Sequence, residues 1–183
     1  KIKFWKRYID DIFMIWHGSL QDLDDFAVWI NEQSSDLKFT INSNSVEISF
    51  LDVLVRMVDN VLYTTLLKKP TDCNSLLMYN SHHPRSLRDN LPFGQFLRLR
   101  RSCCRKEDYF KEAELLKIRL SERGYPRKII SRAMKRAWFC PRETVLIPKT
   151  RKMDNNRLIM VNTFSPVSND IKKIVVKNWS LLT

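Results

Sequence analysis

The sequence predicts an α+β fold: a partial antiparallel sheet bearing an Asp-Asp hairpin, then a mostly helical, basic region with a helix-turn-helix-like corner. Three observations predict it. Up to about residue 67, short runs of aromatic and β-branched residues alternate with polar turn pairs, as strands do. From Pro92 onward, apolar residues recur at steps of three and four, as on helices. Charge divides the chain in the same region. Residues 1–84 hold 8 Lys and Arg against 11 Asp and Glu, residues 85–152 hold 20 against 7, and residues 153–183 hold 4 against 2. The net charge of +12 therefore sits almost wholly in the helical part, and a polyanion is its expected partner. Domains are expected at 1–80, 81–152 and 153–183.

The first strands are Ile2-Lys3-Phe4-Trp5 and Ile12-Phe13-Met14-Ile15-Trp16, with Tyr8-Ile9-Asp10-Asp11 between them. Two ionised carboxylates side by side repel each other, so one pKa rises unless a cation intervenes. Lys6 and Arg7 are close in sequence, but a divalent metal would intervene more strongly. Mg²⁺ takes a few carboxylate oxygens and leaves room for substrate phosphates. Asp is also an ordinary turn residue, so the pair equally suits a purely structural hairpin. Next, Leu20, Leu23, Phe26, Ala27 and Ile30 predict a helix over about 20–33, with Asp22, Asp24 and Asp25 where the helix dipole favours acids. Residues 37–41 alternate and predict a strand ended by Asn42-Ser43-Asn44-Ser45. The alternation resumes at Val46, Ile48 and Phe50, then continues on the other parity through Leu51, Val53 and Val55 to Asp59-Asn60. With residues 61–67, this makes a meander of about three strands.

Residues 68–90 are turn-rich and break the sheet. A helix is expected over 92–105, with Pro92 in its first turn. On it Phe93, Phe96, Leu97, Cys103 and Cys104 share one side, and Arg98, Arg101 and Arg105 form a row on another. A second helix, over about 107–122, buries Phe110, Ala113, Leu116 and Leu120. Gly124 caps it, and Pro126 starts a third helix that runs to about Phe139. The third helix buries Ile130, Ala133, Met134 and Ala137 and turns Lys128, Arg132, Lys135 and Arg136 outward. Two basic stripes, each opposite an apolar stripe, suit a phosphate backbone. Residues 149–152 form a loose basic stretch, 158–161 a strand candidate, and Ile171, Ile174, Val175, Trp179 and Leu182 mark a closing helix.

Cys73, Cys103, Cys104 and Cys140 have neither a disulfide framework's spacing nor a zinc site's. Free thiols and the lack of a signal peptide suit an intracellular protein, the nucleus being one compartment open to it. No apolar run is long enough for a membrane span, so no membrane partner is expected. A chain that opens at Lys1 in the middle of a strand pattern is expected to be part of something longer.

Tyr8-Ile9-Asp10-Asp11, Phe50-Leu51-Asp52-Val53, Lys69-Pro70-Thr71-Asp72, His83-Pro84, Pro92-Phe93-Gly94-Gln95, the run Leu97-Arg98-Leu99-Arg100-Arg101 and Arg123-Gly124-Tyr125-Pro126 follow one another along nearly the whole chain. In this order they resemble the reverse transcriptases of Penelope-like retroelements, whose third palm motif is a Tyr-x-Asp-Asp box. The resemblance implies the end of a palm at 1–80, a helical thumb at 81–152 and a connector at 153–183. It implies RNA-directed DNA polymerase activity, with Asp10 and Asp11 as catalytic ligands of Mg²⁺. By the same resemblance Tyr8 lies against the primer-template end, Phe50 and Leu51 fall where the primer grip is placed, and Gln95 joins the nucleic-acid contacts. Lys38 falls near a loop motif that supplies a cation to the nucleotide, although a solvent-facing strand lysine explains it more simply. Arg98, Arg101, Arg105, Lys128, Arg132, Lys135 and Arg136 would hold the duplex. The implied partners are an RNA or DNA template with its primer, and the fingers and first part of the palm that such enzymes carry ahead of this region. Another palm carboxylate belongs to that earlier part, so these 183 residues are expected to bind nucleic acid without extending it. The last glycine is Gly124, so the tripeptides of a GIY-YIG nuclease are not among these 183 residues. The alternative is a non-catalytic helix-turn-helix nucleic-acid-binding module derived from such an element.

Overall fold

The computed structural model describes residues 1–33, 35–148, 161 and 163–179. The architecture is α+β, and the chain divides into two compact units, Lys1–Lys68 and Lys69–Thr183.

In the first unit, β1 (Ile2–Tyr8) and β2 (Asp11–Trp16) pair antiparallel, with Tyr8 opposite Asp11 at the closed end. Helix α1 (Leu20–Glu32) begins on a capping box: Asp22 N donates to Ser19 Oγ (3.1 Å) and Ser19 N donates to Asp22 Oδ2 (3.2 Å). Lys1 Nζ donates to the other oxygen of the same carboxylate. That bond first, and the Ser19 bonds second, hold the Asp22 carboxyl down to about 2 from 3.8. Because the folded pKa is the lower one, the contribution of this carboxylate is present above pH 3.8 and is lost as pH falls through about 2. The amide signals of Ser19 and Asp22 are expected to titrate in that window, and Lys1→Ala is expected to move the midpoint back toward 3.8. A midpoint that Lys1→Ala leaves in place would assign the shift to the cap alone.

Phe26 of α1 packs on the hairpin, its ring 6.4 Å from Trp5 and 5.5 Å from Trp16. Phe13 meets Phe50 at 5.4 Å and joins the hairpin to a second sheet. That sheet is β3 (Glu47–Phe50), β4 (Val53–Val58) and β5 (Val61–Leu66), antiparallel in the order 3-4-5. Two expectations need correction here. The alternation from Val46 to Val55 is two strands, and its change of parity at Leu51 marks the tight turn Leu51-Asp52, where Leu51 takes a φ of 53°. Residues 37–41 form no strand. Instead the Asn31 side chain accepts from Phe39 N (2.6 Å) and donates to Phe39 O (2.9 Å), occupying both groups that a neighbouring strand would need. Among the described residues, Leu23 alone of this unit is buried.

The second unit holds α2 (Arg85–Ser102), α3 (Lys106–Glu122), α4 (Arg127–Trp138), α5 (Arg142–Leu146) and α6 (Ser168–Lys177). Its core is Phe96, Leu99, Cys103, Tyr109, Ala113, Leu116, Leu120, Tyr125, Ile130, Ala133 and Ala137. Phe110 and Met134, expected inside, are half-buried. The turn-rich segment ahead of α2 is tied to the end of α3. Both terminal nitrogens of Arg119 donate to Asp72 (2.8 and 3.0 Å), and Asn74 Nδ2 donates to Arg119 O (3.0 Å) and Glu122 Oε2 (2.8 Å). Helix α2 starts at Arg85 rather than Pro92, because Pro84 already occupies the N-cap with its fixed φ of −52°. Pro92 lies inside the helix, where its ring is fully buried and its packing offsets the missing N–H. The helix also ends before Arg105: Cys103 turns extended (ψ 118°) and buries its thiol. The closing helix α6 carries Ile171, Ile174 and Val175 of the expected stripe but ends before Trp179, and Leu182 lies outside the described residues. Residues 149–152 and most of the strand candidate at 158–161 lie outside the described residues. Among the described residues no helix is long and apolar enough to cross a membrane.

Gly124 supplies the left-handed residue between α3 and α4, at φ 79°. A Cβ there would meet Tyr79 Cβ at an ordinary 3.9 Å, so the cost of Gly124→Ala is conformational. It is expected to be about 1–2 kcal/mol, read as a fall in the midpoint of thermal unfolding. An unchanged midpoint would mean that the turn can re-form without a positive φ.

Candidate nucleic-acid interface

The corner between α3 and α4 is closed by backbone bonds. Gly124 N donates to Ser121 O (2.9 Å) and Tyr125 N to Leu120 O (3.1 Å), while Tyr125 turns its ring inward to meet Tyr79 at 5.1 Å. Pro126 at the N-cap then launches α4. Ile130, Ala133 and Ala137 bury one side of that helix against the rest of the unit. At about 100° per residue, Lys128, Arg132 and Lys135 fall in an arc of about 60° on the opposite side. All three are exposed, α4 contains no acidic residue, and among the described residues none of the three has an ion-pair partner. Arg136 lies at the edge of the stripe, its guanidinium carbon 4.0 Å from the centroid of Phe93 on α2. Its charge is therefore stacked on the joint between two helices.

The row expected from Arg98, Arg101 and Arg105 is not a row along one helix. Arg98 and Arg101 are exposed on α2, but Arg105 is the N-cap of α3, beyond the extended Cys103, with its Nε 3.9 Å from Glu107 Oε2. Arg101 Nε donates to Val145 O (2.8 Å), and Arg142 donates back to Arg101 O (3.1 Å). Arg100 stacks 4.8 Å over Trp138 and donates to Cys140 O (3.3 Å). These α2 arginines thus fasten the segment that follows α4. Gln95 is half-buried on α2.

In the first unit, Asp10 lies in the two-residue turn and Asp11 opens β2; both are exposed, as is Tyr8 across the pair. Ile9, a β-branched residue, holds a φ of 55° at this tip, a strained conformation held while Arg7 donates to its carbonyl. The two carboxylates are the hard oxygen ligands that Mg²⁺ takes through one or two side chains, with water and phosphate completing its shell. They fit part of a site: among the described residues no three His, Cys, Asp or Glu side chains come together as a ligand group. Phe50 is engaged with Phe13, whereas Leu51 is exposed in its turn.

One residue of interest escapes a reading by motif. Phe139, the C-cap of α4, is 79% exposed and continues the Lys128, Arg132, Lys135 line by a further step of four. The 4-3-4 spacing is the signal that could have found it.

Residues 75–135 match the model of the family described as the animal helix-turn-helix domain, about a third of the chain. The match spans α2, α3 and most of α4, so the region where the family is recognised is also the region of the corner and the cationic stripe. No curated protein and no solved structure matches the chain. The second unit therefore contains a helix-turn-helix region, with α4 as the helix after the turn.

Proposed function

We propose that the second unit is a nucleic-acid-binding module that holds a duplex by its phosphates, with α4 as the contacting helix. The observation that carries this is the exposed row Lys128, Arg132 and Lys135, opposite a buried face and without an acid on the helix, inside a region matching a helix-turn-helix family. Arg98 and Arg105 are further exposed cations of the same unit, while Arg101 and Arg136 also hold its segments together. The test is the affinity of the chain for a mixed-sequence duplex as salt is varied. Three phosphate contacts give a slope of about −2.7 in log affinity against log salt. Affinity that does not change with salt would overturn the reading.

A second reading is favoured by the hairpin: a Tyr-x-Asp-Asp box at a tight turn, with strain at Ile9 and both carboxylates exposed, supports descent from the reverse transcriptase of a Penelope-like element. In that reading Asp10 and Asp11 would hold Mg²⁺, which when bound supplies charge neutralisation to substrate phosphates. Tyr8, Leu51, Phe50 and Gln95 would be contacts to primer and template. The 183-residue chain is proposed to bind such a substrate without extending it. Titration with Mg²⁺ followed at the Asp10 and Asp11 amides tests the metal: shifts lost in Asp10→Asn support the pair as ligands, and shifts unchanged by it do not. Primer extension abolished by Asp11→Asn would overturn the non-extending part of the proposal.

A further inference from the structure

Trp138 and Phe139 are consecutive aromatics with opposite fates. Trp138 is half-buried against Tyr109 (5.1 Å), Phe110 (4.8 Å) and the Arg100 guanidinium (4.8 Å). Phe139 keeps helical backbone angles, φ −73° and ψ −8°, and is left 79% exposed. Its position is held from both sides. Phe139 N donates to Lys135 O (3.1 Å), Cys140 N donates to Ala137 O (3.2 Å), and Arg100 holds Cys140 O before Pro141 turns the chain. The backbone that carries the ring is thus fixed by the protein itself, in line with Lys128, Arg132 and Lys135 and about 16 Å along the helix from Lys128.

We infer that Phe139 is a stacking platform for an unpaired base, so that the module prefers a duplex with a single-stranded extension to a fully paired one. The inference rests on the proposed nucleic-acid function and deepens it. A flat apolar face at the end of a cationic row has the composition that single-strand binding surfaces use, with charge following the backbone and an aromatic ring taking a base. Inside a paired duplex every base face is already stacked; a base beside the last pair is free to move onto the ring. Charge complementarity selects this occupant over an apolar protein surface, because a protein covering Phe139 would also have to meet three cations on the same face.

The full chain is titrated with one duplex in two forms, blunt and with a few unpaired nucleotides at one 3′ end, the first of them 2-aminopurine. The native chain is expected to bind the extended form about tenfold tighter and to quench the probe. Phe139→Ala is expected to bind both forms equally, with blunt affinity within about twofold of the native value and no quenching, whereas Phe139→Trp keeps both effects. Since the ring is exposed, thermal unfolding of Phe139→Ala should match that of the native chain. Equal binding of the two forms by the native chain, or a preference that survives Phe139→Ala, overturns the inference. Loss of self-association in Phe139→Ala with the preference unchanged would also overturn it, by assigning the ring to a protein contact. If neither form binds the native chain, the nucleic-acid reading itself fails; if both bind equally, only the platform does.

Discussion

Alanine at Lys128, Arg132 and Lys135 together is expected to weaken duplex binding on the order of a hundredfold at about 0.1 M salt and to flatten the salt slope by about 2.7. The size follows from counterion release, since each neutralised phosphate frees about one condensed cation, whose dilution drives binding. Stability should change little, because all three side chains are exposed and none has an ion-pair partner among the described residues. A control triple at Lys172, Lys173 and Lys177 of α6, where Lys173 pairs with Asp170 (3.0 Å), removes the same formal charge from another exposed helix. If affinity responds to total charge alone, both triples will behave alike, and α4 loses its claim to be the contacting helix. If the α4 triple alone flattens the slope, the contact is assigned to that face.

What could be read from the residues alone was greatest where a single periodicity ruled. The outward position of Lys128, Arg132 and Lys135 follows from Ile130, Ala133 and Ala137 on the other side of the same helix, and the structure leaves those lysines and that arginine exposed. The errors arose where a residue far along the chain changed what a local pattern meant. Residues 37–41 alternate as well as the true strands do, but Asn31, on the preceding helix, takes the hydrogen bonds of Phe39. Pro92 has the chemistry of a helix start, yet Pro84 had already filled that role. Arg105 continues the spacing of Arg98 and Arg101 on paper, while burial of Cys103 ends the helix between them. For Trp138 and Phe139, sequence alone cannot say which of two adjacent aromatics packs inward and which stays exposed. In the hairpin, a turn at the Asp-Asp pair is legible from composition; that the turn falls one residue earlier, on Ile9 and Asp10 with Asp11 already in β2, and that a β-branched residue takes a positive φ are not.

Tyr109→Ala is expected to destabilise the second unit by about 3–5 kcal/mol, a large part of a domain's usual 5–15 kcal/mol. Tyr109 is fully buried, its ring meets Trp138 and Phe110, and its hydroxyl donates to Met134 O of α4 (3.3 Å). The side chain therefore fastens α3 to the helix that bears the cationic stripe, and its loss should release α4 along with the core. Tyr109→Phe keeps the ring and removes only the hydrogen bond, for about 1 kcal/mol. Burial pushes the phenol up to about 12, so the folded state favours the neutral form: stability is full below pH 10.0 and is lost as pH rises through about 12. Tyr109→Phe should reduce that alkaline loss, to which Tyr79, raised by its bond to Asp89, and Tyr125, raised by burial, also contribute, while leaving duplex binding at neutral pH near its native value. Denaturant unfolding of the two variants across this range separates the roles. If Tyr109→Ala melted like the native chain, Tyr109 would not be holding α4; if Tyr109→Phe lost as much stability above pH 10.0 as the native chain, Tyr109 would have no part in the alkaline limb.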